Sequence, residues 1–117
     1  MFEEKVNALS WMTAEHASRP FPPGFRGLEI EGEDMVMLDA DAYGYATSVL
    51  KGPLAEQQRS GLAQLTTVFD AVLPAIEDEY AAGYYTHVRD MAVLAADIET
   101  LREQQPADQA RRRSPTR

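Results

Sequence analysis

Seven residues, Tyr80, Tyr84, His87, Met91, Leu94, Ile98 and Leu101, recur along the chain at alternating steps of four and three. That spacing lines one side of an α-helix and fits no strand, so a long helix is expected from about Asp78 to Leu101. A second row with the same spacing, Gln58, Leu62, Leu65, Phe69 and Val72, predicts another helix over about Pro53 to Leu73. Pro74 lacks a backbone donor and crowds the preceding turn, so the earlier helix stops or kinks there and Asp78 or a neighbour restarts the chain. A connection that short makes the two rods antiparallel neighbours. Gly83, at the edge of the later row, is expected to allow close backbone approach.

Toward the N-terminus, Phe2, Val6, Leu9 and Met12 or Thr13 predict a helix over 2–17, with Glu3 and Glu4 at the positive end of its dipole. Trp11 is expected in the core or as a lid over it. Pro20, Pro22 and Pro23 then end the helix and impose an extended strap, whose Phe21 and Phe25 cover the core. Leu28, Glu29, Ile30 and Glu31 alternate, the chain turns at Gly32, and an apolar run resumes at Met35 to Leu38, so residues 27–38 read as a β-hairpin. Asp39 or Asp41 is placed to cap a helix over about 42–51, ended by Gly52 in a left-handed turn, with Pro53 opening the next. The expected fold is mainly α, a three- or four-helix bundle with an antiparallel helix pair and one small β-hairpin. It forms a single domain over residues 1–105, followed by a disordered basic tail at 106–117.

The chain has 117 residues, 44% hydrophobic and 26% charged, a balance that suits one globular core. It contains no cysteine, which removes disulfides, thiolate nucleophiles and cysteine-bound zinc from consideration. Charge is unevenly placed: residues 1–105 hold 7 basic and 18 acidic side chains, and residues 106–117 hold 4 and 1. A body so acidic repels phosphate backbones, so nucleic acid is disfavoured as a partner except through the Arg111–Arg113 run. No apolar run is long enough to span a bilayer and the first residues carry Glu3 and Glu4, so a cytoplasmic protein with no membrane partner is expected.

Candidate chemistry is sparse. His16 and His87 sit in no metal-ligand spacing, and the loop from Asp39 fails as a calcium site at Tyr43 and Leu50, so neither metal nor cofactor is expected. His16, His87, Asp39 and Asp41 are the candidates for acid–base work; His16 is chemically suited to pair with Asp39 or Asp41, but the sequence does not show that they meet. Tyr43, Tyr45 and Tyr85, with Glu31, Glu33 and Asp34 at the hairpin tip, are the candidates for a protein-binding face, aromatic anchors beside a charged rim. The stretches WMTAEHASRPFPPGFRG and MLDAD resemble short actinobacterial proteins, a resemblance that implies no activity and carries over no site residue.

The leading expectation is a small acidic interaction module of immunity, antitoxin or adaptor type, binding a basic protein or a second copy of itself. The alternative is a small enzyme or ligand-binding protein with a His/Asp pocket between hairpin and helices; no nucleophile or nucleotide-binding motif marks an enzyme. A concave pocket joining a histidine to a carboxylate favours the alternative, and a flat tyrosine-rich face favours the module.

Overall fold

The computed structural model describes the backbone of residues 2–113 and the side chains of residues 2–104. Among these, the elements run α1 (Phe2–Ser18), β1 (Glu29–Ile30), β2 (Glu33–Asp34), α2 (Met35–Lys51), α3 (Glu56–Val72), a 3-10 turn (Leu73–Ala75) and α4 (Glu79–Arg113). The mainly helical bundle with a small antiparallel hairpin is therefore as expected.

Helix α4 is the spine, packing against each of the other three helices. Ala81, Tyr85, Val88, Ala92 and Ala95 are buried beside Tyr84, Met91 and Ile98, a stripe wider than the expected row because three partners surround the helix. His87, Leu94 and Leu101 lie half-buried at its edge, and Tyr80 is 45% exposed. Arg59 reaches Glu103 at 3.7 Å, so α3 runs antiparallel to α4 as expected. Met12 meets His87, and Lys5 approaches Asp97 at 4.0 Å, so α1 is antiparallel as well. Tyr85 donates to the Met35 carbonyl and Arg102 to that of Gly52, which sets α2 parallel to α4.

On α1 the buried residues are Leu9, Thr13 and His16, at helical steps of four and three. Trp11 lies two residues from both Leu9 and Thr13, on the opposite face, and is 77% exposed. The expectation that it fills or covers the core is corrected. The strap bends at Gly24 (φ 82°) and Gly27 (φ 78°), left-handed backbone that glycine adopts without strain. Pro22 and Phe25 are buried beneath it, and Phe25 stacks on Tyr85 at 5.9 Å.

The hairpin is shorter than its pattern implied. Glu29 pairs with Asp34 and Ile30 with Glu33, around a turn at Glu31 (φ 53°) and Gly32 (φ 79°). Met35 to Leu38 is the first turn of α2 instead of a strand. A short apolar run does not reveal its own period, and here Met35, Leu38, Ala42, Ala46 and Val49 share one buried helical face. Asp34 caps this helix, accepting from the amides of Val36 (2.9 Å) and Met37 (3.1 Å). Asp39 and Asp41, expected as caps, are therefore inside the helix.

Gly52 is extended (φ 162°) and not left-handed, and α3 opens at Glu56 and not at Pro53. The reason is Glu99, 97% buried on α4, which accepts the Leu54 amide at 3.1 Å and pairs with Arg102 at 2.8 Å. That carboxylate pulls the link between α2 and α3 straight across the bundle. Pro74 converts the end of α3 into the 3-10 turn, and Asp78 caps α4 by accepting from Ala81. Gly83 is exposed, with open space where a side chain would stand, so the close approach expected there does not occur. It occurs at Gly61 instead, where a Cβ would collide with the Tyr45 hydroxyl. Part of the tail expected at 106–117 continues α4 as far as Arg113; the side chains from residue 105 onward, Arg111–Arg113 included, and residues 114–117 altogether lie outside the described residues. No helix among the described residues is long and apolar enough to cross a membrane.

Candidate functional site

The last turn of α1, the strap, the first turns of α2 and the start of α4 meet at one end of the bundle. His16 arrives there because it continues the buried Leu9–Thr13 face, and Asp39 because it lies one residue beyond buried Leu38 on α2. His16 Nε2 stands 2.7 Å from Asp39 Oδ1, with the two side chains 8% and 16% exposed. Tyr84, from α4, donates its hydroxyl to the other carboxylate oxygen, Oδ2, at 2.9 Å. His16 and Asp39 are thus in close contact, yet His16 Nδ1 and Asp39 Oδ1 are buried without an aligned hydrogen-bond partner. Buried polar atoms are normally paired, so two unpaired ones in a single cluster set this end of the bundle apart from an ordinary core.

Aromatic rings surround the pair. Tyr43 lies 5.4 Å from the His16 ring, Tyr84 5.1 Å, and His87 6.1 Å in a stacked arrangement. His87 Nε2 is 3.1 Å from the Met12 carbonyl, which fixes the ring to α1. Tyr84 meets Phe21 of the strap edge to face at 5.8 Å. Burial, followed by the Asp39 charge and the hydrogen bond to it, pushes the Tyr84 phenol well above its ordinary range. Tyr85 is raised in the same direction, by burial first and then by Asp39 and Asp34. Both therefore remain neutral donors at any ordinary pH.

Above the pair opens a cleft of about 360 Å³. His16, Asp39, Tyr43 and Tyr84 line it, with Arg19, Phe21 and Arg26 contributed by the strap. Arg19 is tied to Glu15 at 2.7 Å, whereas Arg26 has no carboxylate partner among the described residues and lies over the Phe21 ring at 5.2 Å. No serine, threonine or lysine lines the cleft among the described residues; its reactive side chains are those of Asp39, His16, Tyr43 and Tyr84. No group of three histidine, aspartate or glutamate side chains there or elsewhere in the described residues is arranged to hold a metal ion.

Of the residues expected to carry acid–base chemistry, the fold joins His16 to Asp39 and sets His87 beside them. Asp41 points away to solvent. Of the expected protein-binding residues, Tyr43 forms a cleft wall and Tyr45 packs on Gly61. Tyr85 is fully buried with its hydroxyl on Met35, which corrects its place on a binding face. Glu31 is an exposed turn residue, Glu33 is half-buried in β2, and Asp34 is occupied as a helix cap. Sequence reasoning missed Arg19, Phe21, Arg26 and Tyr84 as cleft residues. Tyr84 had a usable signal, since it precedes His87 by three and so shares its side of α4; the strap residues had none, because their direction depends on the glycine turns. Comparison with family models, curated proteins and solved structures finds no match to the chain, so the reading of this cleft rests on its own geometry.

Proposed function

We propose that the protein binds a small organic ligand in the cleft between the strap and helices α1, α2 and α4. One observation carries this reading: a histidine and a carboxylate in close contact lie at the base of a concave site walled by aromatic rings. Ligand sites are usually of this kind, largely apolar with a few converging polar groups. The cleft, at about 360 Å³, falls within the roughly 300–1,000 Å³ usual for small ligands. His16 and Asp39, the latter held by Tyr84, supply the polar base against which the ligand rests. The cytoplasmic setting expected from the sequence is kept as part of this proposal.

The test is a thermal-shift screen of small organic acids, amines and neutral compounds against the wild type and Ala40→Trp. Ala40 is an exposed lining residue on α2, so a large side chain there fills the cleft without entering the core. Compounds that raise the melting temperature of the wild type and lose that effect in Ala40→Trp support the reading. A screen with no shifts, or shifts that are equal in both proteins, overturns it.

A second reading is favoured by Trp11, an exposed indole on an acidic body. Tryptophan is enriched among the residues that dominate protein contacts, and a negative surface speeds encounter with a basic partner. On this reading the protein is the interaction module of the sequence expectation, with Trp11 replacing Tyr85 as anchor. A partner cross-linked to the wild type and lost in Trp11→Ala supports it, and one retained equally counts against it.

A further inference from the structure

The ligand class can be narrowed, an inference that rests on the cleft being a ligand site. We propose that the cleft takes a monoanionic aromatic acid, a flat ring bearing one carboxylate, with Arg26 as the anchor for the charge. Acids outnumber bases 19 to 11 in this chain, so a guanidinium with no carboxylate partner among the described residues is out of keeping with its surroundings. Arg26 lies on the Phe21 ring, which steadies the planar group at the cleft mouth and leaves its N–H edge available to a planar, bidentate acceptor. Arg19, on the same rim, already gives its charge to Glu15. Among the described residues, Arg26 is therefore the cleft cation without a carboxylate partner.

The rest of the cleft selects the ligand's body. Phe21 and Tyr84 are in edge-to-face contact, at 83° and 5.8 Å, and so form one continuous aromatic wall for a flat ring to lie against. Tyr43 and the apolar Val36 extend that wall. At the base, Asp39 brings negative charge, which repels a dianion such as a phosphate monoester drawn into the site. A carboxylate held by the exposed Arg26 lets its ring lie against the aromatic wall. A neutral ring fills the same walls without using Arg26, and a small acid without a ring uses Arg26 without filling the walls.

Isothermal titration of the full chain with benzoate, benzamide, phenyl phosphate and acetate tests this, using Arg26→Gln as the variant because Arg26 is exposed and outside the core. Benzoate is expected to bind at least about tenfold tighter than benzamide, the scale of one charge-assisted hydrogen-bonded contact. It should also exceed phenyl phosphate and acetate. Arg26→Gln should abolish the preference for benzoate while leaving benzamide unchanged. Equal binding of benzoate and benzamide, a preference that survives in Arg26→Gln, tighter binding of phenyl phosphate, or no binding by any of the four overturns the ligand class. If these probes fail while other compounds still depend on an open cleft, by their loss in Ala40→Trp, the ligand class falls and the ligand site stands.

Discussion

Tyr84 donates to Asp39 across the α2–α4 contact at 2.9 Å, and the same carboxylate stands 2.7 Å from His16 of α1. Three helices therefore share one charged group at the cleft base. Removing the hydroxyl with Tyr84→Phe leaves a half-buried carboxylate oxygen without its donor, at an expected cost of about 1–2 kcal/mol. Because Tyr84 and Asp39 act on each other, the double variant Tyr84→Phe/Asp39→Asn should depart from the sum of the single changes by roughly 0.5 kcal/mol or more. Urea unfolding of the four proteins measures this, and strict additivity would show the contact to be energetically idle.

The raised phenols of Tyr84 and Tyr85 give the fold an alkaline limit. In the unfolded chain both ionise near the ordinary value of 10.0, whereas in the folded protein they hold their protons to higher pH. Their stabilising effect is complete below that value and is lost progressively as pH rises beyond it. The urea midpoint should therefore be level with respect to these two groups up to about pH 10 and fall above it. In Tyr85→Phe the fall should be shallower, although the variant starts from lower stability. An equal alkaline slope in both proteins would count against the assignment.

Glu99 predicts a larger effect than any surface acid. It is buried, accepts the Leu54 amide and pairs with Arg102, with Arg59 at 4.0 Å. Glu99→Ala leaves a buried amide and the Arg102 charge without their partner, and the expected loss is about 3–5 kcal/mol. Glu103, which is exposed and meets Arg59 at 3.7 Å, should cost less than about 1 kcal/mol when changed to alanine. Thermal or urea unfolding that ranks the two alike would refute this account of the α2–α3 link.

Replacing a glycine within a helix by alanine usually gains up to about 1 kcal/mol, but Gly61→Ala is expected to destabilise. Its new Cβ would collide with the Tyr45 hydroxyl. In a Tyr45→Phe background the nearest ring carbon is 3.2 Å away, a contact that small shifts relieve, so the same substitution should cost much less or become favourable. A Gly61→Ala effect independent of residue 45 would show that α3 does not approach α2 this closely.

Trp11 provides the opposite case, a large residue with little to lose. At 77% exposure, Trp11→Ala should change stability by no more than about 0.5 kcal/mol, and iodide should quench the indole readily in the wild type. A loss of several kcal/mol, or a shielded indole, would place the residue in an interface or core instead.

Much of the architecture was legible because helical periodicity is a local signal. The rows ending at Val72 and beginning at Tyr80 identified two helices and their antiparallel packing, and Pro74 and Asp78 marked the junction. Failures occurred where a long-range contact overrode the local pattern. Met35 to Leu38 reads equally well as strand or helix until the core beneath it is known, and the choice of Asp34 as cap then follows. Gly52 is straightened by Glu99, which lies far along the chain. At the site, His16 and Asp39 were named as possible partners from their chemistry, but periodicity gave no distance between them. Arg26 and Phe21 were silent, since a proline-rich strap has no period from which to read direction.

The two ends of the bundle are fastened by different means. Away from the cleft, a single carboxylate laces together the α2–α3 link, α3 and α4 with charged contacts. At the cleft, closure depends on tyrosine hydroxyls, ring contacts and the misaligned meeting of His16 with Asp39. Amide exchange should therefore begin where the strap crosses Tyr80 and reach Leu54 last, so that the molecule breathes from the mouth while its far end stays clasped.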